Sequence, residues 1–253
     1  MSSVGWPLHN LTLKVLNLEN EVGFYKSFGF QLFKLEKKSV LLRAGEQAEL
    51  RLMQLDAGKP RPPKTAGLFH FALLLPDRAS LGGFVRFVNG KSFHFVGAAD
   101  HLVSEALYFS DPEGNGIEVY ADGPRENWKW TDGTVLMDTL ALNLRELARL
   151  PGPEWNGFPP GTKLGHMHLT VSELDASQTF YESLGLKLTS DWGPFRFFSW
   201  EGYHHHLAIN LVAGRNAAMV RSDVAGLLSF SVDRKTPSIP QTDPNGILIE
   251  ALA

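Results

Sequence analysis

The chain has 253 residues, a formal net charge of −3 and no cysteine. The absence of cysteine excludes disulfides, thiolate metal ligands and a cysteine nucleophile, so any metal must bind imidazole, carboxylate or neutral oxygen. The charge favours neither nucleic acid nor an anionic membrane as a partner. No apolar run approaches the roughly 20 residues of a membrane span, and the N-terminus lacks a signal-peptide pattern, so a cytoplasmic protein is expected.

The first predicted elements follow one another closely. Residues 10–15 alternate apolar and polar side chains, as a half-buried strand does. Residues 18–28 carry apolar side chains at helical spacing, and Gly29 stands where a helix C-cap belongs. Strand-like runs come next, near 38–43 and 48–55. This stretch predicts a module that begins with a strand and a helix and continues with strands.

A second module of the same kind is predicted directly after the first. Phe69–Leu75 reads as its first strand, residues 78–89 as its helix, and residues 116–121 as its last strand. A linker rich in proline follows at 123–163, with a short helix near 139–149. The chain then starts a third module at Leu164.

Two sequence patterns recur between the halves, which indicates duplication. Phe24-Tyr-Lys-Ser-Phe-Gly-Phe returns as Phe180-Tyr-Glu-Ser-Leu-Gly-Leu. Asp111-Pro-Glu-Gly-Asn-Gly-Ile-Glu118 returns as Asp243-Pro-Asn-Gly-Ile-Leu-Ile-Glu250. The fourth module is truncated, because only strands near 226–232 and 246–251 remain in it. We therefore predict an α+β fold of tandem βαβββ modules, with domains at 1–122 and 164–253.

Alignment of the modules places polar side chains at equivalent strand positions. His9 falls one residue out of register with His166 and so lies on the opposite face of its strand. The four positions of each half are Asn10, Glu49, His70 and Glu118 in the first, and His166, His206, Ser229 and Glu250 in the second.

The second half holds a complete set of metal ligands at these positions. His166, His206 and Glu250 supply two imidazoles and a carboxylate, which leave positions on the ion open for substrate. Such a set suits Fe(II), with Mn, Zn or Ni as alternatives. The first-half positions form a secondary candidate site, in which Asn10 is a weak ligand. If the repeat is left aside, the alternative interpretation is that each histidine is an ordinary structural residue and each glutamate a solvated one.

The chain resembles the vicinal oxygen chelate superfamily, which includes glyoxalases, bleomycin resistance proteins and extradiol dioxygenases. The resemblance rests on Leu164-Gly-His-Met-His-Leu-Thr-Val171, on Gly67–Pro76, on Asp100–Tyr108 and on Gly202–Asn210. It implies two glyoxalase/extradiol-dioxygenase-like domains with ligands on the first and last strands of modules. It also implies that His101 and Tyr108 serve as acid–base and hydrogen-bonding groups. The second half lacks its own counterparts of these two, which leaves Tyr203, His204 and His205 as its local candidates.

The expected activity is metal-dependent extradiol cleavage of a small aromatic diol. The first alternative is a Lewis-acid isomerase or lyase of the glyoxalase type, and the second is a non-catalytic protein that binds small molecules. Phe195, Phe197, Phe198 and Trp200 either line an apolar pocket or belong to the core. The truncated module leaves a face uncovered, which a second copy in a homodimer would fill.

Overall fold

The computed structural model describes residues 6–152, 154–219, 221–233 and 241–251. Its helices are α1 (Leu18–Phe28), α2 (Arg78–Val88), α3 (Leu144–Arg149) and α4 (Leu174–Ser183). Its strands are β1 (Leu8–Val15), β2 (Gln31–Leu35), β3 (Ser39–Ala44), β4 (Ala48–Gln54), β5 (Gly67–Leu74), β6 (His94–Asp100), β7 (Ser104–Ser110), β8 (Gly116–Asp122), β9 (Trp130–Thr131), β10 (Thr134–Val135), β11 (Lys163–Thr170), β12 (Lys187–Asp191), β13 (Phe195–Ser199), β14 (Leu207–Asn210), β15 (Gly226–Val232), β16 (Gln241–Thr242) and β17 (Leu248–Ala251).

Local signals account for the helices and strands that the sequence predicted. Helix α1 begins after Asn17, whose side chain accepts a hydrogen bond from the Asn20 amide, and it ends at Gly29, whose φ of 120° favours glycine. Helix α2 begins after Asp77, which caps it in the same way. Strand β2 was not predicted, because all five of its residues are exposed at a sheet edge and show no alternation of burial.

The modules pair across the two halves of the sequence. One sheet has the order β16-β17-β15-β1-β4-β3-β2 and joins the first module to the fourth. The other has the order β12-β13-β14-β11-β5-β8-β7-β6 and joins the second module to the third. Two antiparallel pairings make these joins, β1 with β15 and β5 with β11. The division at 122 and 164 thus separates sequence repeats, and each sheet contains strands from both sides of it.

A common core holds the two sheets together. Leu13 on β1, Leu50 on β4, Phe71 on β5 and Leu169 on β11 are all fully buried in one apolar cluster. The architecture is the α+β fold of paired βαβββ modules that the repeats predicted. None of the helices in the described parts of the chain combines the length and the apolarity that crossing a membrane requires.

Each copy of the Asp-Pro motif anchors a helix through a buried tyrosine. Tyr25 of α1 donates to the Asp111 carboxylate at 2.8 Å, and the Asn115 amide donates to the same oxygen. Tyr181 of α4 donates to Asp243 at 2.9 Å in the second copy. The recurring sequence patterns therefore meet in space, and they fix the first helix of a module against a distant turn.

Candidate metal centre and its cavity

Three neighbouring strands of the eight-stranded sheet build the site around Ala72 of β5. Glu118 of β8 lies opposite Ala72 in the parallel pairing, and His166 of β11 lies opposite it in the antiparallel pairing. His70 stands two residues before Ala72, so its side chain projects from the same face of the sheet. Ala72, small and fully buried, thus lies directly between Glu118 and His166 in the sheet.

The ligand atoms of His70, Glu118 and His166 all lie within 4.8 Å of one another. His70 Nε2 is 2.9 Å and His166 Nε2 is 3.1 Å from Glu118 Oε2, and the two imidazole nitrogens are 3.3 Å apart. Bonds of about 2.1 Å at right angles from one ion would separate neighbouring ligand atoms by about 3 Å. The geometry therefore fits a divalent ion with two imidazoles and a carboxylate on one side of it.

The electrostatics of the trio also fit a cation. Burial alone would raise the pKa of Glu118, but the two imidazoles beside it hold that pKa well below its usual range. Burial lowers the pKa of His70, against the opposing effect of Glu118. The imidazole of His70 is therefore neutral and the carboxyl is ionised, which are the forms that bind metal.

This trio replaces the set predicted from the sequence. Among the described residues, His166 converges with two side chains of the first half, whereas His206 and Glu250 do not join it. Glu250 lies on β17 opposite Ser231 in the other sheet, because the fourth module pairs with the first. The prediction that His166, His206 and Glu250 share one ion was therefore wrong about the partners of His166.

His206 turns away from the trio because strand β14 begins only at Leu207. Its Nδ1 lies 3.0 Å from the Ser199 hydroxyl, and its ring packs against Trp6 and Trp200. His205 takes the side facing the trio instead, with its ring centroid 4.2 Å from that of His166. Regular strand alternation does not extend over residues 204–206, so alignment of the modules chose the wrong neighbour.

The secondary set is divided between the sheets. Asn10 and Glu49 are direct neighbours on β1 and β4, in the seven-stranded sheet, whereas His70 and Glu118 belong to the other one. Arg43 donates to Glu49 at 2.6 Å and occupies that carboxylate. Ser229 lies on β15 opposite Thr12. The two halves of the predicted quartet do not converge, and the seven-stranded sheet carries an ion pair at the corresponding place.

His101 and Tyr108 form a hydrogen-bonded pair beside the trio. The Nδ1 of His101 donates to the Asp138 carbonyl at 2.7 Å, because a carbonyl can only accept. In the neutral imidazole Nε2 is then the acceptor, so the Tyr108 hydroxyl donates to it at 2.6 Å. The Tyr108 ring centroid lies 5.6 Å from that of His70. The predicted linker thus orients this pair through a backbone carbonyl, which no side-chain pattern signalled.

A second chain of hydrogen bonds leads from His205 to Asp122. The Nδ1 atoms of His205 and His204 are 2.7 Å apart, and His204 Nε2 lies 3.0 Å from Asp122 Oδ1. The Tyr203 hydroxyl donates to the same oxygen at 2.9 Å. If Asp122 accepts from His204 Nε2–H, then neutral His204 accepts at Nδ1 and His205 donates there. The Nε2 of His205 is then an acceptor, and His205 lines the cavity described next.

A cavity of about 360 Å³ opens onto the trio. Phe195 and Phe197 line it, whereas Phe198 and Trp200 are buried in the core, so the aromatic run divides between the two predicted roles. Several other residues of the lining were not predicted from the sequence. These residues are Phe69, Met137, Thr139, His168 and Trp192. The spacing of His166 and His168 on one strand face was the available signal for His168.

The fold and the buried trio define a protein of paired βαβββ modules whose cavity contains a set of residues able to hold a metal ion. Residues 8–119 match the Glyoxalase/Bleomycin resistance protein/Dioxygenase superfamily. The catechol-2,3-dioxygenase of Bacillus subtilis (strain 168) is 38% identical over 229 residues, which cover 87% of this chain and 80% of that protein. The chain belongs to this superfamily, also called the vicinal oxygen chelate superfamily.

Solved structures are similar in fold. A putative dioxygenase from Bacillus subtilis subsp. subtilis str. 168 aligns with a TM-score of 0.62 and 12% identity, over 96% of this chain and 84% of that one. Glyoxalase I from Zea mays aligns with a TM-score of 0.53 and 15% identity, over 96% of this chain and 91% of that one. At these identities the likeness concerns the architecture alone.

Proposed function

We propose that this protein is a metal-dependent extradiol dioxygenase that cleaves the ring of a small aromatic diol. The observation that carries the proposal is the convergence of His70, Glu118 and His166 beside the hydrogen-bonded pair of His101 and Tyr108. The likeness to a catechol-2,3-dioxygenase supports the same reaction.

The trio would hold the ion through His70 Nε2, His166 Nε2 and one Glu118 oxygen. A bound divalent ion, Fe(II) by preference for two imidazoles and a carboxylate, would supply Lewis acidity and a redox centre where diol and dioxygen meet. Of the trio, His70 and Glu118 come from one module and His166 from the next. The site therefore requires the pairing of β5 with β11.

The groups around the trio are suited to handling the protons of a diol. His205 presents Nε2 as an acceptor for a hydroxyl proton, and the chain through His204 to Asp122 holds its ring in that orientation. Burial, together with the nearby His166 and His204, lowers the pKa of His205 well below its usual range, so the ring is neutral. Tyr108 lies on the other side and is oriented by His101.

The arrangement favours ring cleavage over the glyoxalase-type isomerisation. A glyoxalase-type isomerase would use Asn10, Glu49, His70 and Glu118, or else the second-half set. Each of these sets is divided between the two sheets, so neither can bind one ion as a group. The observed trio would instead leave a bound ion free to take two further ligands, a diol and dioxygen.

The test compares Glu118→Gln with Glu250→Gln, since these residues occupy equivalent positions of the repeat. We expect anaerobically purified protein to contain about one metal ion per chain, with this content lost in Glu118→Gln and kept in Glu250→Gln. With Fe(II), one dioxygen should be consumed for each catechol, and both oxygen atoms should appear in the ring-opened product. Oxygen uptake without ring opening, or ring opening that survives Glu118→Gln, would refute the proposal.

A further inference from the structure

The cavity extends from the trio to an opening with aromatic walls. Phe69 and Trp192 line the cavity and are 39% and 36% exposed, which places them at this opening. Phe195 and Phe197 continue the same surface inward. Large aromatic side chains that stay exposed around a concave site are characteristic of ligand contact surfaces, because an apolar ligand removes them from water.

His168 adds one polar group to this aromatic surface, and its hydrogen bonding is determined by Asn210. The Asn210 Oδ1 accepts from the Val212 amide at 3.0 Å, so its Nδ2 must be the atom that donates to His168 Nε2 at 2.9 Å. The neutral ring then carries its hydrogen on Nδ1. Phe69 packs edge-on against this ring, with the centroids 4.8 Å apart. His168 therefore offers the cavity a neutral N–H donor framed by aromatic carbon.

The size of the cavity leaves room beyond one aromatic ring. A cavity of roughly 150 Å³ accommodates benzene in a protein interior. The volume here is about 360 Å³, so a diol ring bound at the trio would occupy only part of it. The remaining space is bounded by the aromatic surface at the opening.

We propose that this surface, formed by Phe69, His168, Trp192 and Phe195, is a subsite for an uncharged ring substituent. The preferred substrates are catechols that carry alkyl, aryl or acyl groups, and catechols that carry a carboxylate bind less well. An apolar group buries aromatic carbon here, whereas a carboxylate loses water and meets no lysine or arginine among the described residues that line the cavity. The N–H of His168 favours a substituent with a carbonyl oxygen. The inference rests on the proposed diol-cleaving function and specifies its substrate class.

The experiment measures binding of catechols to Fe(II)-loaded protein by anaerobic calorimetry, so that no turnover is needed. We expect affinity to rise roughly fourfold for each carbon added from catechol to 4-methylcatechol and 4-ethylcatechol. Binding of 3,4-dihydroxybenzoate should be weaker than that of 4-methylcatechol by on the order of tenfold. Trp192→Ala and Phe69→Ala should reduce the gain in affinity for each added carbon. Phe95→Ala, which removes an exposed aromatic ring on β6, should leave it unchanged.

A second comparison isolates His168. The ratio of affinities for 4-acetylcatechol and 4-ethylcatechol should fall about tenfold in His168→Phe and be partly retained in His168→Gln, which keeps an N–H donor. The ratio cancels any general loss of binding in the variants.

The outcomes separate this inference from the proposed function. If unsubstituted catechol neither binds nor is cleaved, both fail together. If catechol is cleaved but the carboxylated diol binds as tightly as the methylated one, the substrate class is wrong and ring cleavage stands. If the gain in affinity for each added carbon is the same in Trp192→Ala, Phe69→Ala and wild type, the subsite is not at this surface.

Discussion

Glu21 is a buried carboxyl whose removal should make the protein more stable at neutral pH. It lies on α1 with no exposed surface, and both of its carboxylate oxygens are buried without a hydrogen-bond donor. Its neighbour is Asp111, the carboxylate that anchors Tyr25. The equivalent position of the second copy is Ser177, whose hydroxyl accepts from the Asn245 amide at 3.3 Å. The variant Glu21→Gln keeps the shape of the side chain and removes its ionisable carboxyl.

The expected gain in stability follows from the pKa of Glu21. Burial, followed by the negative charges of Asp111 and Glu113, raises this pKa from 4.5 to about 9. The folded protein thus keeps a proton that the unfolded chain releases above pH 4.5. The stability contributed by that proton is complete below pH 4.5 and is lost as the pH rises towards 9. At about 1.4 kcal/mol per pH unit, the loss reaches about 3 kcal/mol at pH 7.

Wild type, Glu21→Gln and the control Glu19→Gln should be unfolded with urea between pH 5 and 8.5. The metal content is kept the same in all three. Glu19 is exposed on the same helix, so its variant should follow wild type. The free energy of unfolding of Glu21→Gln, measured relative to that of wild type, should increase by about 1.4 kcal/mol for each pH unit. A difference that stays constant over the whole range would contradict this prediction, because it would show that Glu21 does not retain its proton on folding.

Three further predictions concern the candidate site. Ala72→Leu should fill the space between His70, Glu118 and His166, so metal content measured by elemental analysis should fall at least tenfold while circular dichroism stays unchanged. Retained metal would contradict the packing around Ala72. Asp122→Asn should lower kcat for catechol by roughly 10- to 100-fold, because His204 no longer holds His205 in one orientation; an unchanged kcat would remove this chain from the reaction. Tyr108→Phe should lower kcat on the order of 10²-fold with metal content intact, and a loss of metal instead would make Tyr108 a structural residue.

Much of the architecture was predictable because its signals are local. The helical spacing before Gly29 predicted α1, and the structure confirms it over Leu18–Phe28. The duplicated Asp-Pro motif and the recurring Phe-Tyr pattern predicted modules of one kind. The types of ligand, imidazole and carboxylate, also followed from the sequence, because the chain has no cysteine.

The partners of His166 could not be predicted in the same way. A repeat shows which positions are equivalent, but it does not show which module pairs with which. The choice depends on the pairing of β5 with β11, two strands that are remote from each other in the sequence. The irregular backbone of residues 204–206 then decided that His205, and not His206, faces the cavity.

The sequence by itself therefore determined the modules, their helices and the chemistry of the available ligands, since each depends on neighbours along the chain. The tertiary structure alone decided that His70, Glu118 and His166 meet, that the linker orients His101 and that the aromatic surface borders the site. These features depend on contacts between side chains of different modules, and a one-dimensional pattern does not record the distances between them.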